Sequence, residues 1–397
     1  MKKLTTSFAF AILAVCLAHS AFAQNADSTF KPHGQLVGQL FADYYYMMSA
    51  DTVGFGGKGY YEPAKNSGSA SVNANTKFFQ AFDVRRVQLG YNYMFTKTVT
   101  GKFLLEHESG ATGGDVLGDN KRGMYVKEAS IAFANAIPMG TVIVGQQATN
   151  VFSVDEGLMG YRPIEKSLLD MRGMSEAGSN DLGIQLVGNI DKDKNFGYSA
   201  MISNGVGAKD ETDKYKDFTG EVNAKFLDQH IVIDIAGDYM DKATQKKLYN
   251  KTNTDSATNV DQSNSLIKFA AAYTSSQVTV GIVYAMHTLA GQSLSVAGTD
   301  AVQTGLSIFA RGAIIPKQLN LFARYDMFDP DSKASSDNYL GPKENFIVAG
   351  LDWIPDVDAQ NVHVMPNIWM NTFKDKSSAA KDFAGITVAR LTFSYKY

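Results

Sequence analysis

Charged side chains recur at alternate positions of this chain, and any chemistry it performs has to start from that spacing. Arg86, Lys102, Lys225, Lys268, Arg311, Arg324 and Arg390 each lie in a stretch that alternates with apolar residues. Glu106, Glu128, Asp234, Asp238 and Asp326 stand in the same setting. In extended backbone every second side chain points to the same face. A face charged along its length is not a dry core, because each buried unpaired charge costs several kcal/mol. It can line water, where it would attract or repel ions by electrostatics instead of holding one ligand. Any one of these charges could equally do no more than pair with a neighbour.

Other chemistries fail on spacing. Beyond His19 the histidines are His33, His107, His230, His287 and His363, one per element, with no i, i+4 pair and no zinc spacing. His107 stands between Glu106 and Glu108, but successive strand residues face opposite ways, so it reads as a solvated histidine at a rim. Gly54-Phe55-Gly56-Gly57 lacks the lysine and following helix of a phosphate loop and reads as a flexible connection. Tyr44 and Tyr46 share a face and suit an aromatic girdle at a membrane interface better than a ligand platform. No enzyme, cofactor or metal is expected.

The elements that carry these charges are strands. In 385–397 (GITVARLTFSYKY), Leu391, Phe393, Tyr395 and Tyr397 share one face and Arg390, Thr392, Ser394 and Lys396 the other. The same alternation sets Val87, Leu89, Tyr91, Tyr93 and Phe95 against Arg86, Gln88 and Asn92. Read with the turn signals, it predicts sixteen strands at 35–48, 79–95, 98–109, 124–134, 141–147, 181–190, 196–204, 219–226, 231–240, 264–274, 277–288, 304–313, 318–328, 345–354, 361–373 and 384–397.

The connections alternate in length. Long ones span 49–78, 110–123, 148–180, 205–218, 241–263, 289–303, 329–344 and 374–383. Short ones span 96–97, 135–140, 191–195, 227–230, 275–276, 314–317 and 355–360. All long connections therefore fall on one side and all short ones on the other. An all-β transmembrane antiparallel β-barrel of 16 strands has this layout, with tight periplasmic turns and long external loops. Closure also removes the unpaired edges that lipid cannot satisfy. Three residues strain the pattern: Arg85 and Lys127 fall on the lipid face and would have to snorkel, and Pro366 suggests a bulge.

The N-terminus is a separate unit. Lys2 and Lys3, the apolar run Phe8–Leu17 and Ala21-Phe22-Ala23 form a secretory signal peptide over 1–23, leaving a barrel over 24–397. The apolar run is too short for the ~20 residues of a membrane anchor. Val15 is bulkier than a lipoprotein site at Cys16 favours. With the signal removed no cysteine remains, which excludes disulfides and thiol chemistry. The remaining balance is 35 basic against 40 acidic residues (37 less Lys2 and Lys3), and argues against a nucleic-acid partner. No later segment reaches the 18 apolar residues of a spanning helix.

Several stretches resemble the phosphate-selective porin family (O and P type) of Gram-negative outer membranes. Asp83-Val84-Arg85-Arg86-Val87-Gln88-Leu89-Gly90 is similar to an early strand of that family. Val144-Gly145-Gln146-Gln147, Val151-Phe152-Ser153-Val154-Asp155-Glu156 and Glu165-Lys166-Ser167-Leu168 resemble its entry to the constriction loop. Leu321-Phe322-Ala323-Arg324-Tyr325-Asp326 and Val348-Ala349-Gly350-Leu351-Asp352-Trp353 resemble its late strands.

The resemblance implies a homotrimer in the outer membrane whose third external loop, 148–180, folds inward and narrows a pore for small hydrophilic solutes or ions, anions such as phosphate among them. Asp155, Glu156, Arg162, Glu165, Lys166 and Arg172 would then form the constriction. Arg86, Lys102, Glu106, Lys268, Arg311, Arg324 and Arg390 would line the lumen. Partners would be outer-membrane lipid and the barrel-assembly machinery, which reads a C-terminal strand ending on an aromatic. Two residues depart from the family pattern, Val151 for its proline and Lys166 for its arginine. Loop 148–180 holds Arg162, Lys166 and Arg172 against Asp155, Glu156, Glu165, Asp170 and Glu176, a net of −2. Weak selectivity is expected from that mixture, with Arg162, Lys166 and Arg86 the best candidates for any anion affinity. The alternative is a non-conducting structural or adhesive barrel that acts through 49–78 and 241–263. N-terminal sequencing of the protein from outer-membrane fractions should begin at Gln24; a retained Met1 would remove the signal assignment.

Overall fold

The computed structural model describes residues 30–49, 77–108, 123–245, 259–291, 299–334, 342–374 and 385–397. The expected signal 1–23, the glycine stretch 54–57 and most of 49–78 and 241–263 lie outside these residues. The alternating stretches form β1 (His33–Ser49), β2 (Gln80–Met94), β3 (Val99–Glu108), β4 (Tyr125–Ile137), β5 (Gly140–Ala148), β6 (Asn180–Asn189), β7 (Phe196–Ser203) and β8 (Asp217–Phe226). They continue with β9 (Ile231–Gln245), β10 (Asn259–Thr274), β11 (Val278–Leu289), β12 (Ala301–Ile315), β13 (Leu319–Asp329), β14 (Lys343–Trp353), β15 (Val362–Lys374) and β16 (Ile386–Lys396). Each strand pairs antiparallel with its sequence neighbours, and β1 pairs with β16, so the sheet closes. Tyr397 and Gly38 seal the seam by exchanging backbone hydrogen bonds of 3.1 Å.

Strand limits agree with the sequence reading to a few residues, except that β9, β10 and β12 run further. There the apolar alternation stops while backbone pairing, which needs no apolar side chain, goes on: Gln245 still pairs with Asn259. The connections keep their two classes. Those after the odd-numbered strands, from β1 to β15, have 11 to 31 residues, whereas those after the even-numbered strands, from β2 to β14, have 2 to 8. The longest is 149–179.

The outward face is apolar and exposed. On β11 it carries Val278, Val280, Ile282, Tyr284 and Met286, while Thr279, Val283, Ala285 and His287 are buried on the other face. Aromatic rings cluster at two levels. Tyr44 and Tyr46 lie beside Phe82 and Phe78 at the long-connection end, and Tyr91, Tyr93, Phe95, Tyr395 and Tyr397 lie at the other. Leu36 pairs with Tyr91, so the span Leu36–Tyr46 measures the gap between levels. At ~3.3 Å per residue and about 40° of tilt this is roughly 25 Å, the apolar height of an outer-membrane barrel.

Two expectations about strained residues are corrected. Arg85 and Lys127 do not snorkel from the lipid face, because β-bulges turn both inward. The β1–β2 register jumps so that Arg85 and Arg86 together oppose Phe41, and both guanidiniums lie over the Phe41 ring, 5.9 and 5.7 Å from its centroid. The β3–β4 register jumps at Lys127; Val126 points out, and Lys127 and Glu128 are both buried. An extra residue on one strand inverts the alternation locally. Pro366, by contrast, needs no bulge. It stays in register with Leu391, and only the ladder to β14 lapses beside it.

The short connections are tight enough to force left-handed backbone. Leu227, Asp228 and Gln229, between β8 and β9, have φ of 50°, 54° and 66°. In 190–195 the Asp191 carboxylate accepts the backbone N–H groups of Phe196 and Asn195, which holds it below the usual carboxylate range. Left-handed geometry costs a residue with a Cβ about 1–2 kcal/mol, less for Asp. Asp228→Gly should therefore stabilise the barrel by about 0.5–1 kcal/mol, read as a higher urea midpoint for unfolding from vesicles.

Candidate functional site

The connection 149–179 is where charges converge. It contains one 3₁₀ turn, Asn150–Phe152, followed by α1 (Ser153–Met159) and α2 (Leu168–Arg172). Both helices end on glycine in left-handed conformation, Gly160 (φ 74°) and Gly173 (φ 61°). Val151, Phe152, Leu168 and Met174 pack with Leu266, Val283, Phe309 and Phe328. Ile164 and Met171 pack with Phe346, Met365, Trp369 and Val388. These strand residues alternate with exposed ones such as Ile308, Ile347 and Ile368.

The polar contacts of 149–179 reach strands around the barrel. Lys268 of β10, whose side chain is 0% exposed, donates to the Val151 carbonyl and to Asp155 Oδ1 at 2.8 Å, and lies 2.8 Å from Asp234 Oδ2. Ammonium offers three donors and finds three acceptors. Ser153 donates to Glu221 of β8, and Arg172 meets Glu344 of β14 at 2.7 Å. Glu176 accepts from Asn264 of β10 and sits 3.6 Å from His287 of β11. Arg390 of β16 lies 3.7 Å from Glu165.

A second network joins the connection to β2, β3 and β4. Glu106 is completely buried and accepts from Lys127 and Tyr125 at 2.6 Å and from Gln88, with Arg86 at 3.3 Å. Arg86 continues to Glu108 at 2.6 Å, and Glu108 to Lys166 at 3.1 Å. Asp170 meets Arg162 at 3.0 Å and Lys166 at 3.9 Å, and Arg162 reaches Glu156 at 3.5 Å. Four cations, Arg86, Lys127, Arg162 and Lys166, thus balance four acids, Glu106, Glu108, Glu156 and Asp170. Water reaches the members unevenly: the side chains of Glu108, Arg162, Lys166 and Glu156 are 18–24% exposed, those of Arg86 and Glu106 hardly at all.

All six charged residues singled out on 148–180, Asp155, Glu156, Arg162, Glu165, Lys166 and Arg172, therefore take part in ion pairs. Of the wall residues, Arg86, Glu106, Lys268, Arg324 and Arg390 are buried. Lys102 remains 41% exposed beside Glu128, and Lys225 of β8, opposite Val232, is half-buried. His107 is buried with Nδ1 3.0 Å from the Gly123 carbonyl, not solvated at a rim. Among the described residues no three His, Cys, Asp or Glu side chains form a metal-binding group.

Sequence reasoning missed the inward apolar patches and the partners Asp43, Glu344 and Lys127. The patches left a signal. Phe346-Ile347-Val348-Ala349 and Ile368-Trp369-Met370 are apolar on both faces, the mark of strands covered twice.

The closed antiparallel barrel of sixteen strands is the fold class of outer-membrane β-barrels. No family model matches the chain, and no curated protein sequence matches it. Solved structures do. The outer-membrane channel DcaP of Acinetobacter baumannii superposes with a TM-score of 0.61 at 10% identity, over 93% of this chain and 99% of that one. An anion-selective porin from Comamonas acidovorans gives 0.58 at 10% identity, over 92% and 100%. OmpT, an outer-membrane protein of Vibrio cholerae solved in a trimer form, gives 0.56 at 14% identity, over 93% and 100%.

Removing one partner of a buried ion cluster leaves a charge without compensation. Glu106→Ala strands Lys127 and should destabilise the barrel by about 3–5 kcal/mol, measured as a lowered urea midpoint, whereas exposed Lys396→Ala should stay within about 0.5 kcal/mol of the parent.

Proposed function

We propose that this chain is a porin of the Gram-negative outer membrane, through which small hydrophilic solutes and ions diffuse passively. The short connections face the periplasm, and the third external loop, 149–179, folds inward and narrows the pore. One observation carries this reading: that connection exchanges ion pairs or hydrogen bonds with β3, β8, β10, β11, β14 and β16, strands spread around the barrel. A connection lying outside could not reach them all.

Sixteen strands enclose an aqueous channel. Glu108, Glu156, Arg162 and Lys166 are the network members that water reaches, and they form the charged edge of the passage. Because the network balances four cations with four acids, selectivity is weak. A tight oxyanion site would need cations converging away from carboxylates, so preference for phosphate, though suggested by the resemblance, is slight here. No catalysis and no cofactor belong to this reading. Lipid covers the outer face, and the assembly machinery reads β16. The chain forms a homotrimer, the arrangement in which one of its structural neighbours has been solved.

Planar-bilayer recording of the purified protein should give stable conducting steps; silence would favour a barrel acting through its external loops. Glu156→Ala with Arg162→Ala leaves net charge unchanged and removes bulk from the edge. Single-channel conductance should rise while the reversal potential across a salt gradient stays put. Unchanged conductance would place the constriction elsewhere, and strong anion selectivity with phosphate block of chloride current would overturn the weak-selectivity reading.

A further inference from the structure

The stretch linking α1 to α2 is irregular yet buried. Ile164, Glu165 and Ser167 are 1%, 2% and 3% exposed, and the local backbone bonds are those of a single turn, in which the Tyr161 carbonyl accepts from Ile164 and Glu165. Carbonyls buried outside helix or sheet need donors from elsewhere. Here guanidinium groups from three strands supply them, and one from a fourth strand meets a carbonyl in the last turn of α1. Arg311 of β12 donates Nε–H to the Leu158 carbonyl at 3.2 Å. Arg85 of β2 donates to Pro163, Arg390 of β16 to Ile164 at 2.6 Å, and Arg324 of β13 to Lys166 at 2.6 Å.

Three of these arginines already face a carboxylate: Arg85 faces Asp43 at 2.7 Å, Arg324 faces Asp326 at 2.7 Å and Arg390 faces Glu165 at 3.7 Å. A neutralised, buried cation projects little field into water. Its planar fork, however, has N–H groups to spare after the carboxylate is met, and these can fix a backbone in one place. Lysine, with a single mobile point of attachment, does this less well.

Resting on the pore reading above, we propose that Arg85, Arg311, Arg324 and Arg390 are positioning residues. They hang 158–166 from the wall by its carbonyls, setting the width and steadiness of the passage. The sign of the ion that passes is left to the water-facing charges, exposed Lys102 and the edge formed by Arg162, Lys166, Glu108 and Glu156. Arginines on a porin wall would ordinarily be read as the selectivity set; here their contacts give them to the loop.

The test uses the chain from Gln24 to Tyr397 with Ile164→Cys as its single thiol, since no cysteine follows Cys16. In this background Arg390→Gln and Arg324→Gln, each with its Lys counterpart, are refolded into vesicles and checked for assembly by heat-modifiable migration. A membrane-impermeant maleimide then reports access to residue 164, and bilayer recording reports conductance and reversal potential. The Gln variants should label severalfold faster, conduct more with a noisier open state and keep the parent reversal potential, with Lys variants in between. Unchanged labelling overturns the proposal. So does a reversal potential that moves towards cation preference in the Gln variants but not in the Lys variants, which is the signature of a selectivity residue. Faster labelling without any change in conductance would uphold the clamp and count against the narrowing role of the loop. Arg311→Gln loses one 3.2 Å contact and carries the same expectations if the other variants do not assemble.

Discussion

The structure depends on the sheet having no edge. A strand that exposes Val278, Val280, Ile282, Tyr284 and Met286 on one face cannot also leave a row of backbone N–H and C=O groups open in an apolar medium, where each would cost several kcal/mol. Pairing β1 with β16 removes that row, and the seam runs to the last residue, where Tyr397 and Gly38 bond to each other. Everything inside is then built on a wall whose outline is already set.

Inside, the constraint changes from backbone to charge. Cations and acids come together in closed sets: Lys268 between Asp155 and Asp234, Glu106 among Arg86, Lys127, Tyr125 and Gln88. Buried charges of this kind do little for stability when complete and a great deal of damage when broken. Their effect is to specify one arrangement of 149–179 over others. The apolar patches around Phe309 and Trp369 supply the burial that the charges do not.

Much of this was legible in the sequence, for a local reason. Side-chain alternation and turn residues are recorded within a few positions of one another, so the strand order and the two classes of connection could be read off directly. The bulges at Arg85 and Lys127 could not, because one extra residue inverts the face without marking the composition. Pro366 misled in the opposite sense, since it sits in register where a bulge was expected. The six charged residues on 148–180 were visible as candidates, but their partners were not. Asp155 and Lys268 stand 113 positions apart, and nothing in either neighbourhood names the other.

The inward-facing aromatics have a consequence for how the molecule comes into being. Phe309, Phe322, Phe346 and Trp369 are buried by contact with 149–179 and with each other. A barrel that closed before that connection docked would hold a greasy wall around trapped water, and the segment would have to displace that water through a finished ring. Docking that keeps pace with closure avoids this, since β12–β16 enter the sheet after 149–179 in the chain. The connection is then a mandrel around which the later strands are laid, and its composition answers to the order of assembly as well as to its place in the finished barrel.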